Sequence, residues 1–308
     1  MPGFTASDVT DQRGKCFLVT GANTGIGFEV ARALAGKGAR VLLACRDEGK
    51  ARAAMARIES EIPAADLALI PLDLTDLDSI RRAADLTSAK PRLDALVNNA
   101  GVMLPPLTRT AQGFELQFGV NHLGTFALTG LLLAKLAETP GSRVVVTASL
   151  AHRRGQIPFD DLNAEHSYNR YQRYGNSKLA NMLFSFELDR RLRAASSAIT
   201  AIGCHPGLAG TDLMRHLGPF KGISGLLRLV LNTPEMGAWP ALQAACDPSA
   251  QGGDYYGAQQ LGELRGPSGK AWRTQRSQRS DLAERLWDVS VAMTGIDPGL
   301  RPAQNILP

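Results

Sequence analysis

Tyr174 and Lys178 form the pair of side chains in this sequence best suited to proton transfer. They lie four residues apart in a segment whose pattern predicts a helix, so both side chains extend from the same helix face. A cation held beside a phenol favours the phenolate and lowers the phenol pKa from about 10, as a general acid/base requires. Taken alone, the pair is not decisive, and an ordinary pair on a helix surface is the alternative.

Two more polar residues occur where chemistry is expected. Ser149 ends the predicted strand 143–149 and supplies a hydroxyl at the sheet edge where parallel sheets bind ligands. Asn121 is a polar residue in an otherwise apolar helix predicted within 112–138. A structural kink in that helix is the alternative explanation for Asn121.

The run Gly21-Ala22-Asn23-Thr24-Gly25-Ile26-Gly27 predicts a phosphate-binding turn, because it follows strand 16–20 and opens helix 26–37. Glycines let the backbone approach a pyrophosphate, and the helix N-terminus presents N–H groups to the anion. A structural Gly-rich turn is the alternative. The later run Asn98-Asn99-Ala100-Gly101 follows the fourth strand and favours a loop against a ligand, with a plain Asx turn as its alternative.

Alternating strands and helices predict the scaffold that brings these motifs together. Short apolar runs predict strands at 16–20, 40–44, 67–72, 93–97, 143–149, 198–204 and 254–256, with helical patterns between them. Continuously apolar strands separated by helices indicate a parallel sheet covered on both faces. We therefore predict an α/β fold with one doubly wound parallel sheet in a single domain, residues 1–308, whose ligands bind at the carboxyl ends of the strands.

Composition excludes several classes of protein. The chain has 308 residues, of which 44% are hydrophobic, so disorder is not its dominant state. Residues 1–11 do not have the pattern of a secretory signal, and no uninterrupted apolar run approaches the roughly 20 residues of a membrane span. We expect a globular cytoplasmic protein. The four cysteines form no close pair, and the five histidines show no ligand spacing, so we predict neither disulfides nor a metal site.

The net charge of +5 is dispersed and predicts no nucleic-acid partner. One stretch is locally basic, and we interpret it as a solvated C-terminal segment rather than a phosphate- or lipid-facing arm. Its cations are Arg265, Lys270, Arg273, Arg276 and Arg279.

Together these residues resemble the short-chain dehydrogenase/reductase family in type and order. The similarity covers residues 13–257, leaves 258–308 as a C-terminal extension, and implies one Rossmann-like domain with about seven parallel strands. Phrases such as Phe118-Gly119-Val120-Asn121-His122 and Asn176-Ser177-Lys178-Leu179-Ala180-Asn181 resemble the retinol dehydrogenase-like branch of this family.

The resemblance implies hydride transfer between a nicotinamide cofactor and a carbonyl carbon. Tyr174 would be the acid/base, and Lys178 would lower its pKa and hold the nicotinamide ribose. Ser149 would donate a hydrogen bond to the carbonyl oxygen, and Asn121 would position a water that links Lys178 to solvent. The implied cofactor contacts, besides Tyr174 and Lys178, are Gly21, Asn23, Thr24, Gly25, Ile26, Gly27, Asp73, Leu74, Asn99, Ala100, Gly101, Pro206, Gly207 and Thr211.

Arg46 predicts NADP(H) rather than NAD(H) as the cofactor. An acid at the end of the second strand would accept hydrogen bonds from the ribose 2′-hydroxyl, but this chain has Ala44-Cys45-Arg46 there, with the acid displaced to Asp47. A guanidinium suits a 2′-phosphate. In the alternative, Arg46 is solvated and Asp47 caps the following helix. A helix cap is likewise the alternative for Asp73, the family's adenine contact.

The resemblance places segments 150–171 and 208–233 beside the carbonyl site. The second segment is rich in apolar residues, which favours a lipophilic aldehyde or ketone, or the matching alcohol, as substrate. It also leaves open a peripheral membrane contact or an ordinary amphipathic helix. Family members often form homodimers through the helices that carry Asn121 and Tyr174. The sequence alone does not establish such an interface in this chain.

Two other functions are compatible with parts of the pattern. A non-catalytic nucleotide-sensing relative would keep the Gly motif but lose Tyr174, Lys178 or Ser149, and all three are present. A photoenzyme similar to protochlorophyllide reductase shares much of the pattern, but the retinol dehydrogenase-like phrases argue against it.

Overall fold

One eight-stranded sheet organises the chain, in a computed structural model that describes residues 3–208 and 231–302. The strand order is β3-β2-β1-β4-β5-β6-β7-β8, and all neighbours are parallel except β7 and β8. The doubly wound sheet is therefore confirmed, with one antiparallel strand more than the expected seven. The strands are β1 Cys16–Thr20, β2 Arg40–Cys45, β3 Asp66–Pro71, β4 Ala95–Asn98, β5 Arg143–Thr147, β6 Thr200–Cys204, β7 Tyr255–Gln260 and β8 Arg265–Lys270.

Helices cover both faces of this sheet, as the continuous apolar character of the strands requires. They are α1 Gly25–Gly36, α2 Glu48–Glu61, α3 Leu77–Ser88, α4 Leu116–Ala137, α5 Arg170–Ala194, α6 Pro234–Cys246 and α7 Ser280–Thr294. One apolar cluster joins the sheet to α1, α2 and α6 through residues such as Leu34 and Leu242. A second joins the other face to α3, α4 and α5 through Ile80, Phe126 and Leu188.

The strand order reverses at β1, which lies between β2 and β4. Val19 of β1 pairs with Leu43 on one side and Val97 on the other. The connections from β1 and β4 therefore leave the sheet in opposite directions, which opens a crevice at their carboxyl ends. Residues 21–27, which we call the Gly turn, follow β1. The Asn98-Asn99-Ala100-Gly101 run begins at the last residue of β4, so both motifs lie at this crevice.

Helix α4 contains a π-helical turn, Gly119–Gly124, with Asn121 at its centre. By length and composition α4 could cross a membrane, but 78% of its apolar window is buried inside the protein, as in the core helix of a globular fold. A π-helical turn rather than a regular α-helix therefore surrounds Asn121, and this residue also contacts the loop after β4.

The basic C-terminal stretch begins as part of the sheet rather than as a tail, while Lys270 and Arg279 are exposed to solvent, as predicted. Arg265–Lys270 is the edge strand β8, and its Ser268 exchanges backbone hydrogen bonds of 2.8 Å with Phe4. Ala283 and Leu286 of α7 then pack on Leu179 and Leu183 of α5. Most of the apolar segment 208–233 lies outside the described residues, as does Thr211.

Candidate active site

Three glycines shape the turn between β1 and α1. Gly21 and Gly25 have φ angles of +68° and +58°, the left-handed region that favours glycine. A Cβ on Gly27 would lie 2.4 Å from the Gly21 carbonyl oxygen and 2.5 Å from Nδ2 of Asn99. The turn is thus as tight as the sequence predicted, and it allows no side chain at Gly27.

The loop after β4 is tied to this turn by Thr20, a residue that sequence reasoning missed. The Thr20 hydroxyl accepts hydrogen bonds from the N–H groups of Asn99 (3.0 Å) and Ala100 (2.9 Å). The Asn99 side chain donates to the Thr20 carbonyl at 3.0 Å. Thr20 is the last residue of β1, directly before the Gly turn, and this position was the signal in the sequence that could have identified it. Asn99, Ala100 and the Gly turn therefore form one continuous surface.

At the end of β2, Arg46 is exposed and Asp47 caps α2. The Asp47 carboxylate accepts the Lys50 N–H at 3.0 Å and pairs with the Lys50 ammonium at 3.1 Å. The helix-cap alternative is therefore correct for Asp47. It leaves Arg46 as the charged side chain at the strand end.

At the end of β3, Asp73 forms a local Asx turn rather than a helix cap. Its Oδ1 accepts the N–H (2.9 Å) and the hydroxyl (2.8 Å) of Thr75. The cap of α3 is Asp76, which accepts the N–H groups of Asp78 and Ser79. Leu74, the other residue implied here, is buried and packs against Gly124 of the π-helical turn.

Tyr174 and Lys178 lie on one face of α5, with Nζ of Lys178 5.8 Å from the centroid of the Tyr174 ring. Lys178 is 4% exposed and donates to the Thr147 carbonyl at 3.2 Å. A Cβ on Gly101 would lie 3.4 Å from this Nζ and 3.0 Å from Oδ1 of Asn121. Gly101 thus lets the β4 loop approach both side chains.

Asn121 is fully buried and joins three segments. Its Oδ1 accepts the Val102 N–H at 2.7 Å, and its Nδ2 donates to the Val102 carbonyl (3.0 Å) and to the Ser177 hydroxyl (2.9 Å). The π-helical turn, the β4 loop and α5 therefore meet at this amide. Ser177 is a second residue that sequence reasoning missed, although it lies inside the Tyr174–Lys178 motif.

Ser149 lies two residues beyond the end of β5 and caps a short 3-10 turn, Leu150–Arg154. Its Oγ accepts the Ala151 N–H at 3.2 Å, which leaves the hydroxyl proton to be donated. The turn is pressed onto α5, since a Cβ on Gly155 would lie 2.4 Å from the Gly175 carbonyl oxygen. This contact places Ser149 beside the helix that carries Tyr174.

The loop after β6 carries Pro206 and Gly207. Gly207 has a φ of +72°, and its N–H donates to Nδ1 of His205 at 3.1 Å. Asn232 donates to the Pro206 carbonyl at 2.8 Å. β6 pairs with β5, so this loop follows the strand end next to Ser149.

The Gly turn is suited to a dinucleotide on the evidence of its own geometry. Thr24 stands at the N-cap of α1 without a side-chain cap among the described residues, so first-turn N–H groups are left for an anion. Asn23 and Ile26 flank this position. The acid/base pair lies across the crevice, beside Gly101. The site can therefore hold a nucleotide next to a phenol, an ammonium and a serine hydroxyl.

Three comparisons with known proteins agree on the family. The model of the short chain dehydrogenase family matches residues 15–221. Human retinol dehydrogenase 11 is 41% identical over 286 residues, which cover 92% of this chain and 86% of the human protein.

Solved structures agree as well. An uncharacterized protein from Mycobacterium paratuberculosis has a TM-score of 0.82 and 36% identity, covering 97% of this chain and 100% of its own. The Pseudomonas aeruginosa RhlG/NADP complex has a TM-score of 0.62 and 26% identity, covering 79% of this chain and 94% of its own.

Proposed function

This chain belongs to the short-chain dehydrogenase family, in its retinol dehydrogenase-like branch, and on that premise we propose an NADP(H)-dependent enzyme that interconverts lipophilic aldehydes or ketones with their alcohols. The observation that carries the proposal is the placement of Lys178, which lies beside Tyr174 on α5, against Gly101 in the loop that Thr20 ties to the Gly turn. When bound, the nicotinamide supplies or accepts the hydride.

The proton chemistry belongs to the chain's own residues. In reduction, the Tyr174 phenol donates its proton to the carbonyl oxygen, and the nearby Lys178 ammonium stabilises the phenolate that forms. The Ser149 hydroxyl donates to the same oxygen as negative charge develops on it. In oxidation the phenolate removes the proton from the alcohol.

Arg46 supports the choice of NADP(H). It is exposed at the carboxyl end of β2, while the neighbouring carboxylate of Asp47 is engaged by Lys50. A guanidinium at this edge attracts a 2′-phosphate, and the nearest acid is already paired. The structurally similar Pseudomonas aeruginosa RhlG, solved as a complex with NADP, adds support.

The first experiment compares kcat/KM for NADPH and NADH in wild type, Arg46→Ala and Arg52→Ala. Losing a charge-assisted bond to the 2′-phosphate should lower the NADPH value about 10- to 100-fold and leave the NADH value unchanged. Arg52 is the matched control, because it is exposed on α2, the helix that follows Arg46, and pairs with Glu48 at 3.4 Å. A wild-type preference for NADH would contradict the NADP(H) proposal.

A lipophilic substrate is supported by two observations. The segment 208–233 is rich in apolar residues, and the relatives are named for retinol. Retinal and other lipophilic aldehydes and ketones are therefore the first compounds to test. The homodimer and the peripheral membrane contact stay predictions.

The second experiment is an NADPH-consumption screen over these compounds, run with wild type and Tyr174→Phe. The variant keeps the ring beside Lys178 but loses the proton donor, so kcat should fall at least about 100-fold on any confirmed substrate. Cofactor affinity, measured by fluorescence titration, should change little. Full activity in Tyr174→Phe would show that the acid/base assignment is wrong.

A further inference from the structure

The turn between β7 and β8, residues 261–264, contacts two segments on the Ser149 side of the site. They are the 3-10 turn Leu150–Arg154 and the Pro206–Gly207 loop. The Glu263 carboxylate accepts from the Arg153 guanidinium at 2.7 Å and from the Trp272 N–H at 2.7 Å. It also lies 3.2 Å from Nε2 of His205. Arg153 belongs to the 3-10 turn that Ser149 caps, and His205 precedes Pro206 and Gly207.

The backbone of the same turn makes a second contact with the Pro206–Gly207 loop. The Leu264 carbonyl accepts the Leu208 N–H at 2.8 Å, and a Cβ on Gly207 would lie 2.5 Å from that carbonyl oxygen. Asn232 links the Pro206 carbonyl (2.8 Å) to the Gly266 N–H (3.1 Å). A displacement of the hairpin turn would therefore move this loop.

The tautomer of His205 places its ring N–H on the side of the Glu263 carboxylate. Its Nδ1 accepts the Gly207 N–H, so in the neutral ring the proton resides on Nε2, on the side of Glu263. Burial lowers the pKa of His205, which favours this neutral ring. Gly257 makes room for the imidazole, because a Cβ there would lie 1.9 Å from Nε2.

The hairpin turn is strained. Leu261 and Glu263 have φ angles of +51° and +70°, in the left-handed region that side chains rarely adopt. Such conformations persist only where surrounding contacts hold them. Glu263 accepts from two donors and lies against His205, and these contacts supply that restraint.

We propose that Glu263 is a positioning residue that couples the turn beginning at Ser149 to the Pro206–Gly207 loop. Its carboxylate accepts from Arg153 on one side and lies against His205 on the other, and the adjoining Leu264 carbonyl accepts the Leu208 N–H, so both loops keep one relative placement. The coupling itself depends only on these contacts, whereas its consequence for catalysis rests on the proposed function. Because Ser149 must meet a carbonyl oxygen with hydrogen-bond precision, loss of the coupling lowers turnover more than cofactor binding.

Hydrogen–deuterium exchange tests the coupling without cofactor or substrate. Glu263→Gln keeps an acceptor for Trp272 but loses the charge opposite Arg153. We expect amides at 151–155 and 207–208 to exchange about tenfold faster than in wild type. Lys270→Gln is the matched control, because the exposed Lys270 lies on β8 and pairs with Asp254 (3.0 Å), so its loss should leave both segments unchanged. Faster exchange confined to the hairpin of Glu263→Gln would overturn the coupling.

Kinetics test the catalytic consequence separately. Glu263→Gln should lower kcat about tenfold and raise the dissociation constant of NADP(H) by a smaller factor, because Pro206 and Gly207 are only part of the implied cofactor site. Arg153→Gln should reproduce the defect, and the double variant should be no worse than either single variant. Unchanged kcat beside accelerated exchange would overturn the catalytic role. An inactive wild type would contradict the proposed function, and the exchange experiment would still decide the coupling.

Discussion

At the scale of single residues, the Asn121 amide shows how one side chain can hold a site together. It is fully buried and satisfies both backbone groups of Val102 while donating to Ser177. Val102 directly follows Gly101, which borders Lys178. The amide thus fixes the distance between the β4 loop and the acid/base pair.

Asn121→Ala should therefore destabilise the protein by about 1–3 kcal/mol, the usual cost of leaving buried polar groups unpaired. Urea unfolding followed by circular dichroism measures the change. Ser177→Ala is the control, because it removes one partner of the amide and preserves both bonds to Val102, so its loss should be smaller. Equal stability of Asn121→Ala and wild type would show that the amide does not hold the loop.

Contacts between residues close together in the sequence could be predicted, whereas contacts between residues far apart in the sequence could not. Tyr174 and Lys178 are four apart on one helix, so their proximity follows from helix geometry. Glu263 lies in the β7–β8 turn, 110 residues along the chain from Arg153, and only the folding of the sheet brings the two side chains to 2.7 Å. No local pattern predicts that contact.

At the scale of elements, helix α4 illustrates a similar limit. The sequence predicts one long helix within 112–138, whereas the structure interrupts it with a π-helical turn. Glycines at both ends of that turn make close contacts: a Cβ on Gly119 would lie 2.4 Å from the Thr110 methyl, and one on Gly124 3.0 Å from the Leu74 carbonyl oxygen. These are tertiary contacts, so helical periodicity alone does not reveal the turn.

The segment between the Ser149 turn and α5 is anchored by one ion pair. Arg173 meets the Asp161 carboxylate at 2.5 Å, and the two side chains are 7% and 10% exposed. Arg173 also donates to the carbonyls of Asp161 and Ser167. Although burial raises the pKa of the Asp161 carboxyl, hydrogen bonds from His166, Glu165 and Arg173 outweigh it and hold the value at about 2.

Arg173→Met should lower the free energy of unfolding measurably, because it removes the counter-ion of the Asp161 carboxylate and the donor to the carbonyls of Asp161 and Ser167. Thermal and urea unfolding measure this loss. Arg170→Met is the matched control on the same helix, since Arg170 is exposed and should change stability by less than about 0.5 kcal/mol. Similar stabilities for the two variants would show that the ion pair does not anchor the segment.

At the scale of the whole molecule, the sheet order was predictable up to its edge. Strands β1 to β7 follow from apolar runs, but the β8 sequence Arg-Gly-Pro-Ser-Gly-Lys has neither apolar alternation nor β-branched residues. It pairs through its backbone with β7 and with Phe4, and Pro267 is tolerated because the strand lies at the sheet edge. Edge pairing of this kind leaves little trace in side-chain pattern.

Within residues 3–208 and 231–302, three buried histidines give the fold a pH dependence that the sequence does not reveal. His122, His152 and His205 are at most 1% exposed. Burial lowers the pKa of His122 to about 3 and of His152 to about 4, and it also lowers that of His205. Below about pH 6.5 the unfolded chain therefore binds protons at these positions that the folded chain does not. Their contribution to stability is complete above pH 6.5 and is lost progressively as the pH falls toward 4.

Urea unfolding at pH 7.5 and 5.5 should show a loss of about 1 kcal/mol for each buried histidine. His122→Phe tests one of them, because Phe118 and Phe184 already surround that ring at 5.1 and 6.0 Å and accept an aromatic replacement. It should remove roughly a third of the pH-dependent loss. His166→Gln is the control, since His166 is exposed and its replacement should preserve the full dependence. If His122→Phe and wild type lost the same free energy between the two pH values, His122 would be protonated in the folded protein, and burial would not keep its ring neutral.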